Sequence, residues 1–324
     1  MLLTLLTPQF STSAQVQKPE AAVFPYLPGM LSMKHNHQRY TAQRGVTLIE
    51  LLVGITIGLL TIAVAMGALM VSRGVSGTVS DASEIQQQAS YAFRVVGQQL
   101  RQAGSLKLKL AAAKVEGDIT PPLVGDPVAF ETDFSDGVST FTLATDTLSG
   151  LDAPSASEYK LTTGYRNYTE PVYTNAAVQS LQRNCLGGQG SAALIQSRFV
   201  LNAATNELRC DGNGQVQPIV RNVANFQVRY LVQSANGTGS PNLRYVNAAT
   251  VGAPGSAGWA QVFAVEVCLV LYGNESIDLP TGSSYTDCDG ATAVNMTTLA
   301  APRNRRMHMV FRNVYQLRSQ GLAG

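Results

Sequence analysis

The stretch Val46–Val71 carries a single charge, Glu50, in 26 residues. About 20 apolar residues are enough for a helix to cross a bilayer. No other segment narrows the possible folds as far. A chain with such a run must bury it in lipid or against other apolar helices, and the rest must fold outside it. A carboxylate near one end of such a helix costs about 3 kcal/mol unless it meets a partner. Glu50 is therefore the first functional candidate.

The flanks set a direction. Lys34, Arg39 and Arg44 precede the run, and an excess of positive charge there predicts a cytoplasmic N-terminus with everything after Ser72 translocated. A secretory signal peptide has a shorter apolar core followed by a small-residue cleavage site. Here the small residue, Gly45, comes before the run. Cleavage at that point leaves the whole apolar helix on the mature chain.

Arg44-Gly45 followed by Val46-Thr47-Leu48-Ile49-Glu50-Leu51-Leu52-Val53 resembles the class III signal of type IV pilins and type II secretion pseudopilins. The resemblance implies that a prepilin peptidase cuts between Gly45 and Val46 and methylates the new Val46 amine. It also implies that Glu50 meets the N-terminal amine of a neighbouring subunit in a filament. Burying an acid and an amine as a pair is far cheaper than burying either alone. Most members begin the mature chain with Phe or Met, and this one begins with Val. Leaders in the family are short and basic. The segment from Met33 to Gly45 fits that pattern better than the whole of 1–45, so residues 1–32 are expected to lie outside the native leader, with the start at Met33 or Met30.

From Val46 onward the chain holds 19 of the 23 basic and 20 of the 21 acidic residues, so it is near neutral. Electrostatic capture of nucleic acid needs a basic stripe, and none stands out before the C-terminal region; no nucleic-acid partner is expected. Of three histidines, His35 and His37 lie in the leader and only His308 follows. That argues against Ser-His-Asp catalysis and multi-His metal sites. The expectation is a protein that is not an enzyme, with no cofactor and no metal.

Cys185, Cys210, Cys268 and Cys288 all lie beyond the apolar run. An even count in an exported domain suggests disulfides. Three pairings are possible. Cys185–Cys210 and Cys268–Cys288 are favoured, because each closes a Gly- or Asn-rich loop between plausible strands, and loops of this length give about 3–4 kcal/mol in the chain-entropy model. The rival is a four-thiolate zinc site, against which stands the lack of any Cys-x-x-Cys pair.

No proline occurs between Val46 and Thr120, so one long helix is allowed. Ile85, Ala89, Ala92, Phe93, Val96, Leu100 and Ala103 recur at three and four, which makes its second half amphipathic. Gly104 is a fair stop. A helix over 46–103 is about 87 Å long at 1.5 Å per residue, much longer than a bilayer is thick. The expected helix thus has a membrane or filament-core half, 46–72, and an amphipathic half, 73–104, packed under a head, 105–324. Gly74, Ser76 and Gly77 weaken helix propensity between the halves; a bend and simple tolerance both fit.

Residues 105–180 show only a short strand at Val138–Leu143 and a loop at Pro121-Pro122. Strand signals return at Leu194–Leu201 and Glu207–Cys210, with a turn at Asp211-Gly212-Asn213-Gly214. Phe226, Val228, Tyr230 and Val232 alternate with polar residues. Phe263, Val265, Val267, Leu269 and Leu271 form the strongest strand pattern, with Cys268 on its opposite face. Between these two strands, 234–258 reads as one long Gly-rich hairpin loop, and Arg305–Arg318 reads as a final strand. Asp287, Asp289 and Gly290 are part of a calcium-loop pattern whose ligand spacing is incomplete, so a disulfide-bounded turn is favoured. Arg303, Arg305 and Arg306 read as a solvated strand end rather than a binding patch.

The segments Leu208-Arg209-Cys210, Gln217-Pro218-Ile219-Val220 and Val223–Tyr230, the Trp259–Tyr272 strand, and the ending Arg305-Arg306 with His308, Val310, Phe311, Arg312 and Asn313 are similar to the PilW-type minor pilins. The resemblance implies an α+β, type IV pilin-like fold: a long N-terminal helical spine packed on an antiparallel sheet head. It implies a structural subunit that primes or supports type IV pilus assembly. The expected partners are the prepilin peptidase, other minor and major pilins and an inner-membrane assembly platform. The expected location is the bacterial inner membrane, with a cytoplasmic leader and a periplasmic head, and then the filament. A J-type pseudopilin of type II secretion shares the helix and a similar sheet. A membrane-anchored periplasmic binding domain is the rival from another class.

Overall fold

The computed structural model describes residues 45–109, 129–130, 133–135, 137–171, 178–189, 193–234 and 242–317. Leader residues 1–44 and the Pro121-Pro122 loop lie outside the described residues. The chain divides into two compact units, 1–60 and 61–324.

Helix α1 runs Leu48–Gln102. Gly74, Ser76 and Gly77 do not interrupt it: each Gly costs about 1 kcal/mol of propensity, which a continuous ladder of hydrogen bonds on both sides absorbs. Within the first unit, the helix from Leu48 to Leu60 leaves nearly all its side chains exposed. Within the second unit the burial of α1 becomes one-sided. Asp81, Ile85, Ala89, Ala92, Val96, Leu100 and Ala103 are buried, the spacing of a single helical face. The helix ends just before Gly104, whose φ of 70° takes the left-handed conformation glycine favours. The Gly104 amide donates to the Gly164 carbonyl at 2.8 Å, carrying the chain into the sheet.

The second unit has two main sheets, each antiparallel throughout. The first comprises β1 (Leu148–Gly150), β2 (Leu161–Arg166), β3 (Leu194–Asn202), β4 (Glu207–Gly212) and β5 (Gln215–Val220). Their spatial order is β5-β4-β3-β2-β1. The β4–β5 hairpin turns on two residues, Asn213 and Gly214, with φ of 52° and 91°. Positive φ at both centres is the turn whose twist matches antiparallel strands, and Asn-Gly is its preferred pair. The turn is thus tighter than the four residues expected from sequence.

The second sheet comprises β6 (Val223–Ser234), β7 (Asn242–Val246), β8 (Val262–Ser276) and β9 (Arg306–Gln316). Its order is β7-β6-β8-β9. The expected loop at 234–258 therefore contains β7 and a short helix, α2 (Ala248–Val251), whose Asn247 cap accepts from the Thr250 amide. A one-turn 3-10 helix at Ala257–Gln261 then buries Trp259 beside Tyr230. The glycines hid these elements because they flank short segments that gain order from packing, not from their own propensity. The expected strand at Val138–Leu143 is likewise shorter, Thr140–Thr142, and Leu143 opens a single helical turn.

One core joins α1 to both sheets. Ile85, Ala89, Ala92, Val96 and Leu100 meet Phe199 and Leu208 of the first sheet, and Phe226, Val228, Tyr230, Val265, Val267, Leu269 and Tyr315 of the second. Strand β8 is buried on both faces. Its other face holds Cys268 and Val270, which with Cys288 form a separate small core under Tyr285 and Val310. That second core explains why β8 reads as a nearly continuous apolar run.

Candidate assembly site

Gly45, Val46 and Thr47 lead into α1. The Thr47 amide and hydroxyl both donate to Glu50 Oε2 at 3.0 Å, and the Glu50 amide donates back to Thr47 Oγ1 at 3.3 Å. This reciprocal arrangement is a capping box, in which a Thr and a Glu three residues on satisfy each other's amides at the first turn. The Thr-x-x-Glu spacing was present in the sequence, and only Glu50 was singled out there. The carboxylate also sits at the positive end of the helix dipole. Among the described residues, Glu50 Oε1 accepts no hydrogen bond.

On either side of Glu50 the apolar side chains are exposed. Val46 is 72% and Leu48 76% exposed, and Ile55, Leu60, Val64, Met66 and Met70 are exposed as well. α1 is long and apolar enough to cross a membrane. An apolar surface of this extent does not stay in water.

The cysteines form two bridges, Cys185–Cys210 and Cys268–Cys288, with Cα separations of 6.4 and 5.8 Å. No thiol is left to hold zinc. The first bridge lies in the main core. Beside it, the Cys185 amide donates to Ser197 Oγ at 3.0 Å, Ser197 donates to Gln99 Oε1 at 2.9 Å, and Gln99 Nε2 donates to the Arg183 carbonyl at 3.3 Å. This buried relay ties α1 to the first sheet through residues almost a hundred positions apart. No local pattern in the sequence announces it.

The second bridge holds the excursion between β8 and β9 against the outer face of the second sheet. Asn225 Nδ2 donates to both oxygens of Asp287 at 2.9 and 3.0 Å, and Arg312 donates to the Asp287 carbonyl at 3.1 Å. Asp289 accepts from the amides of Ala291 and Thr292 at 2.9 and 2.8 Å; these bonds, with the Thr292 hydroxyl first among them, pull its pKa down to about 2. Both acids are engaged in turn structure. Among the described residues no group of three or more His, Cys, Asp or Glu is placed to hold a metal ion. The arginines expected as a solvated strand end are structural ties. Arg303 donates to the Ala224 carbonyl, Arg305 to Asp278, and Arg306 to the carbonyls of Gly273 and Asn274.

His308 is 8% exposed and stacks on Tyr285 at 4.9 Å between centroids. Its Nδ1 lies 2.9 Å from the Arg306 carbonyl, an acceptor, so the proton sits on Nδ1. Among the described residues the buried Nε2 has no hydrogen-bond partner. Burial pushes the imidazole pKa down, against the opposing effect of the Arg306 carbonyl.

Two family models match the chain. The prokaryotic N-terminal methylation motif covers residues 40–66, and Type IV Pilus-assembly protein W covers 188–319. The first spans Gly45, Val46 and the capped turn at Glu50; the second spans β3 to β9 and both disulfide-bonded segments apart from Cys185. No curated protein matches the sequence. Among solved structures, a type IV-like pilin from Thermus thermophilus is 14% identical, covering 72% of this chain and 95% of that one at a TM-score of 0.30; the assignment rests on the two family models. The capped apolar helix carries the methylation motif and the disulfide-stapled antiparallel sheets carry the type IV pilus-assembly protein W domain, so the chain is a type IV pilin-like protein with a PilW domain.

Proposed function

We propose that the chain is a minor pilin that primes or supports assembly of a type IV pilus. Prepilin peptidase cuts between Gly45 and Val46, and the freed Val46 amine is methylated. The segment 46–72 sits first in the inner membrane, with the leader cytoplasmic and residues 105–324 periplasmic, and then in the filament core. Residues 73–104 are the amphipathic half of the helix. The two disulfides suit an oxidising compartment.

The observation that carries this reading is the state of Glu50. It is the one charge of an apolar, exposed helical stretch. Its Oε2 is occupied by Thr47, while Oε1 is left to accept from outside. A carboxylate can take several donors at once. The capping bonds therefore aim the group without exhausting it, and an amine from a neighbouring subunit supplies the missing charge partner. Oligomerisation of this helix with other pilins, and hand-over by an inner-membrane assembly platform, follow from that pairing.

Mass spectrometry of the N-terminus of protein purified from peptidase-positive cells tests the reading. A chain beginning at methylated Val46 is expected. An intact leader in such cells counts against it. So does a Glu50→Ala variant that co-purifies with other pilins as well as the parent does.

A further inference from the structure

The excursion between β8 and β9, residues 277–304, is stapled to the second sheet by Cys268–Cys288. A second fastening is made by rings. Within the excursion a short hairpin pairs Ser284–Thr286 with Ala293–Asn295. It lays Tyr285 on His308 of β9, with centroids 4.9 Å apart and planes within 7° of parallel. Tyr272, opposite His308 on β8, meets the same imidazole at 5.7 Å. These surroundings suit a neutral ring. Nδ1 donates to the Arg306 carbonyl at 2.9 Å, and among the described residues the buried Nε2 has no partner. As a bare lone pair Nε2 forgoes one hydrogen bond. Once protonated it is a charged donor, and a buried charge without an acceptor is far costlier.

The neighbours offer that charge no relief. Tyr272 faces the ring from β8 and Tyr285 from the hairpin; burial pushes both hydroxyls' pKa up, so neither supplies negative charge. Arg303 acts on it from the segment before β9, and Arg306 lies two residues away on β9 itself. Both are cations, and both are fixed. Arg303 donates to the Ala224 carbonyl, and Arg306 to those of Gly273 and Asn274. Asp287, the acid two residues after Tyr285, accepts from Asn225 on both oxygens and from the Cys288 amide. A cation over a ring face is attracted to it, but a stack on Tyr285 does not replace lost hydration and a missing acceptor. Burial, with Arg303 adding to it, pushes the imidazole pKa down. Of the two rings that cover His308, Tyr272 is buried in the sheet and Tyr285 is only half-buried. Tyr285 is therefore the cover that can move.

We propose that His308 is an acid-operated latch: a proton taken from solvent onto Nε2 lifts the 284–295 hairpin off β9, while Cys268–Cys288 keeps the excursion tethered. The opened state uncovers the side of the small core of Cys268, Val270 and Cys288 that Tyr285 covers. The latch belongs to the head alone. It goes beyond pilus assembly through the N-terminal helix and does not depend on it.

The test is an NMR titration of the full chain in detergent micelles from about pH 7.5 to about pH 4.5, the range in which histidines change charge. The Tyr285 ring resonances, shifted by the stacked imidazole, are expected to move toward exposed values over the same pH range in which His308 titrates. Hydrogen exchange of the amides 284–286 and 293–295, corrected for the intrinsic rate, is expected to rise about tenfold per unit of pH between the ordinary and the folded pKa of the ring. The amides of β3 and β4 are expected to stay protected. His308→Phe is expected to keep the hairpin closed throughout. A His308 that titrates while Tyr285 stays in place overturns the proposal, since the charged ring is then accommodated in the closed state. A His308 that stays neutral over the whole range overturns it as well. So does exchange that rises across β3, β4 and the hairpin together, which is unfolding of the head and not release of a latch. Opening that persists in His308→Phe assigns it to another group. The paired readings of His308 and Tyr285 come from the unmodified protein, so the outcome stands even where the variant does not fold.

Discussion

Tyr315 lies directly against Gly97. A Cβ at Gly97 would come within 2.8 Å of Tyr315 Cζ, closer than real side chains approach, and the Tyr315 hydroxyl donates to the Phe93 carbonyl at 2.8 Å, one turn earlier on the same helix. The last strand of the second sheet is thereby seated on α1. Glycine is required here for close approach, not for an unusual backbone angle. Gly97→Ala is expected to destabilise the head by about 1–3 kcal/mol through overpacking, despite the better helix propensity of Ala. Tyr315→Phe is expected to cost about 1 kcal/mol for the lost hydrogen bond. Denaturant unfolding of both variants checks this; an Ala at 97 that stabilises would mean the ring is not seated there.

The Gln99–Ser197–Cys185 relay predicts a polar cost inside the core. Ser197→Ala leaves the Cys185 amide without its acceptor and Gln99 Oε1 without its donor. A loss of about 2–3 kcal/mol is expected, more than a single exposed hydrogen bond would account for. A loss under about half a kcal/mol, the range of ordinary surface changes, would show that the relay is not made.

The capping box at Thr47 predicts a local effect. Thr47→Ala removes the side-chain acceptor for the Glu50 amide and one donor to its carboxylate. It is expected to weaken the first helical turn by about 1 kcal/mol. In micelles, NMR should show faster amide exchange at residues 48–51 and none of this at the head. Unchanged exchange across that turn would remove Thr47 from the account.

The two disulfides are expected to separate in their consequences. Cys268–Cys288 staples an excursion onto a small second core. Replacing both by Ser should expose residues 277–304 to protease first, with about 3 kcal/mol lost. Cys185–Cys210 is embedded in the main core, so replacing it should lower the cooperative unfolding of the whole head. Limited proteolysis alongside thermal unfolding distinguishes the two.

His308 predicts the acid side of the stability curve. Its pKa in the folded protein lies below the ordinary 6.5, so the unfolded chain takes up the proton first. The stability contributed by the neutral ring is complete above pH 6.5 and is lost as pH falls from there through the folded value. His308→Phe keeps an aromatic ring against Tyr285 and removes this dependence. Asp289, held down to about 2, acts in a lower window: its contribution is present above its ordinary 3.8 and is lost toward pH 2. A fall below pH 6.5 that survives in the His308→Phe variant would point to another group.

How far the chain could be read depended on whether the signal was local. The three-four spacing of Ile85, Ala89, Ala92, Val96 and Leu100 is a property of neighbouring residues, and α1 buries that face. The alternation at Phe226–Val232 likewise yields the inner face of β6. Strand β2 left no such trace: five of the six positions in Leu161–Arg166 are buried, Thr163 among them, so polar and apolar residues do not alternate. β7 and α2 were invisible because Gly-rich composition reports the turns around them. The arginines at 303 and 306 looked solvated because their acceptors are carbonyls of distant strands, while Arg305 pairs with the exposed Asp278.

By itself, the amino-acid order determined the apolar helix, its single acid and the small residue before it, because chain length and transfer of apolar groups from water depend on composition along the chain and not on what folds nearby. Only the tertiary structure decided that Glu50 shares its carboxylate with Thr47 and keeps one oxygen open, that Tyr315 sits on Gly97, and that Gln99, Ser197 and Cys185 form one buried relay. Those are distances between residues whose separation in the chain says nothing of their separation in space, or orientations that a side chain takes up only once its backbone is set.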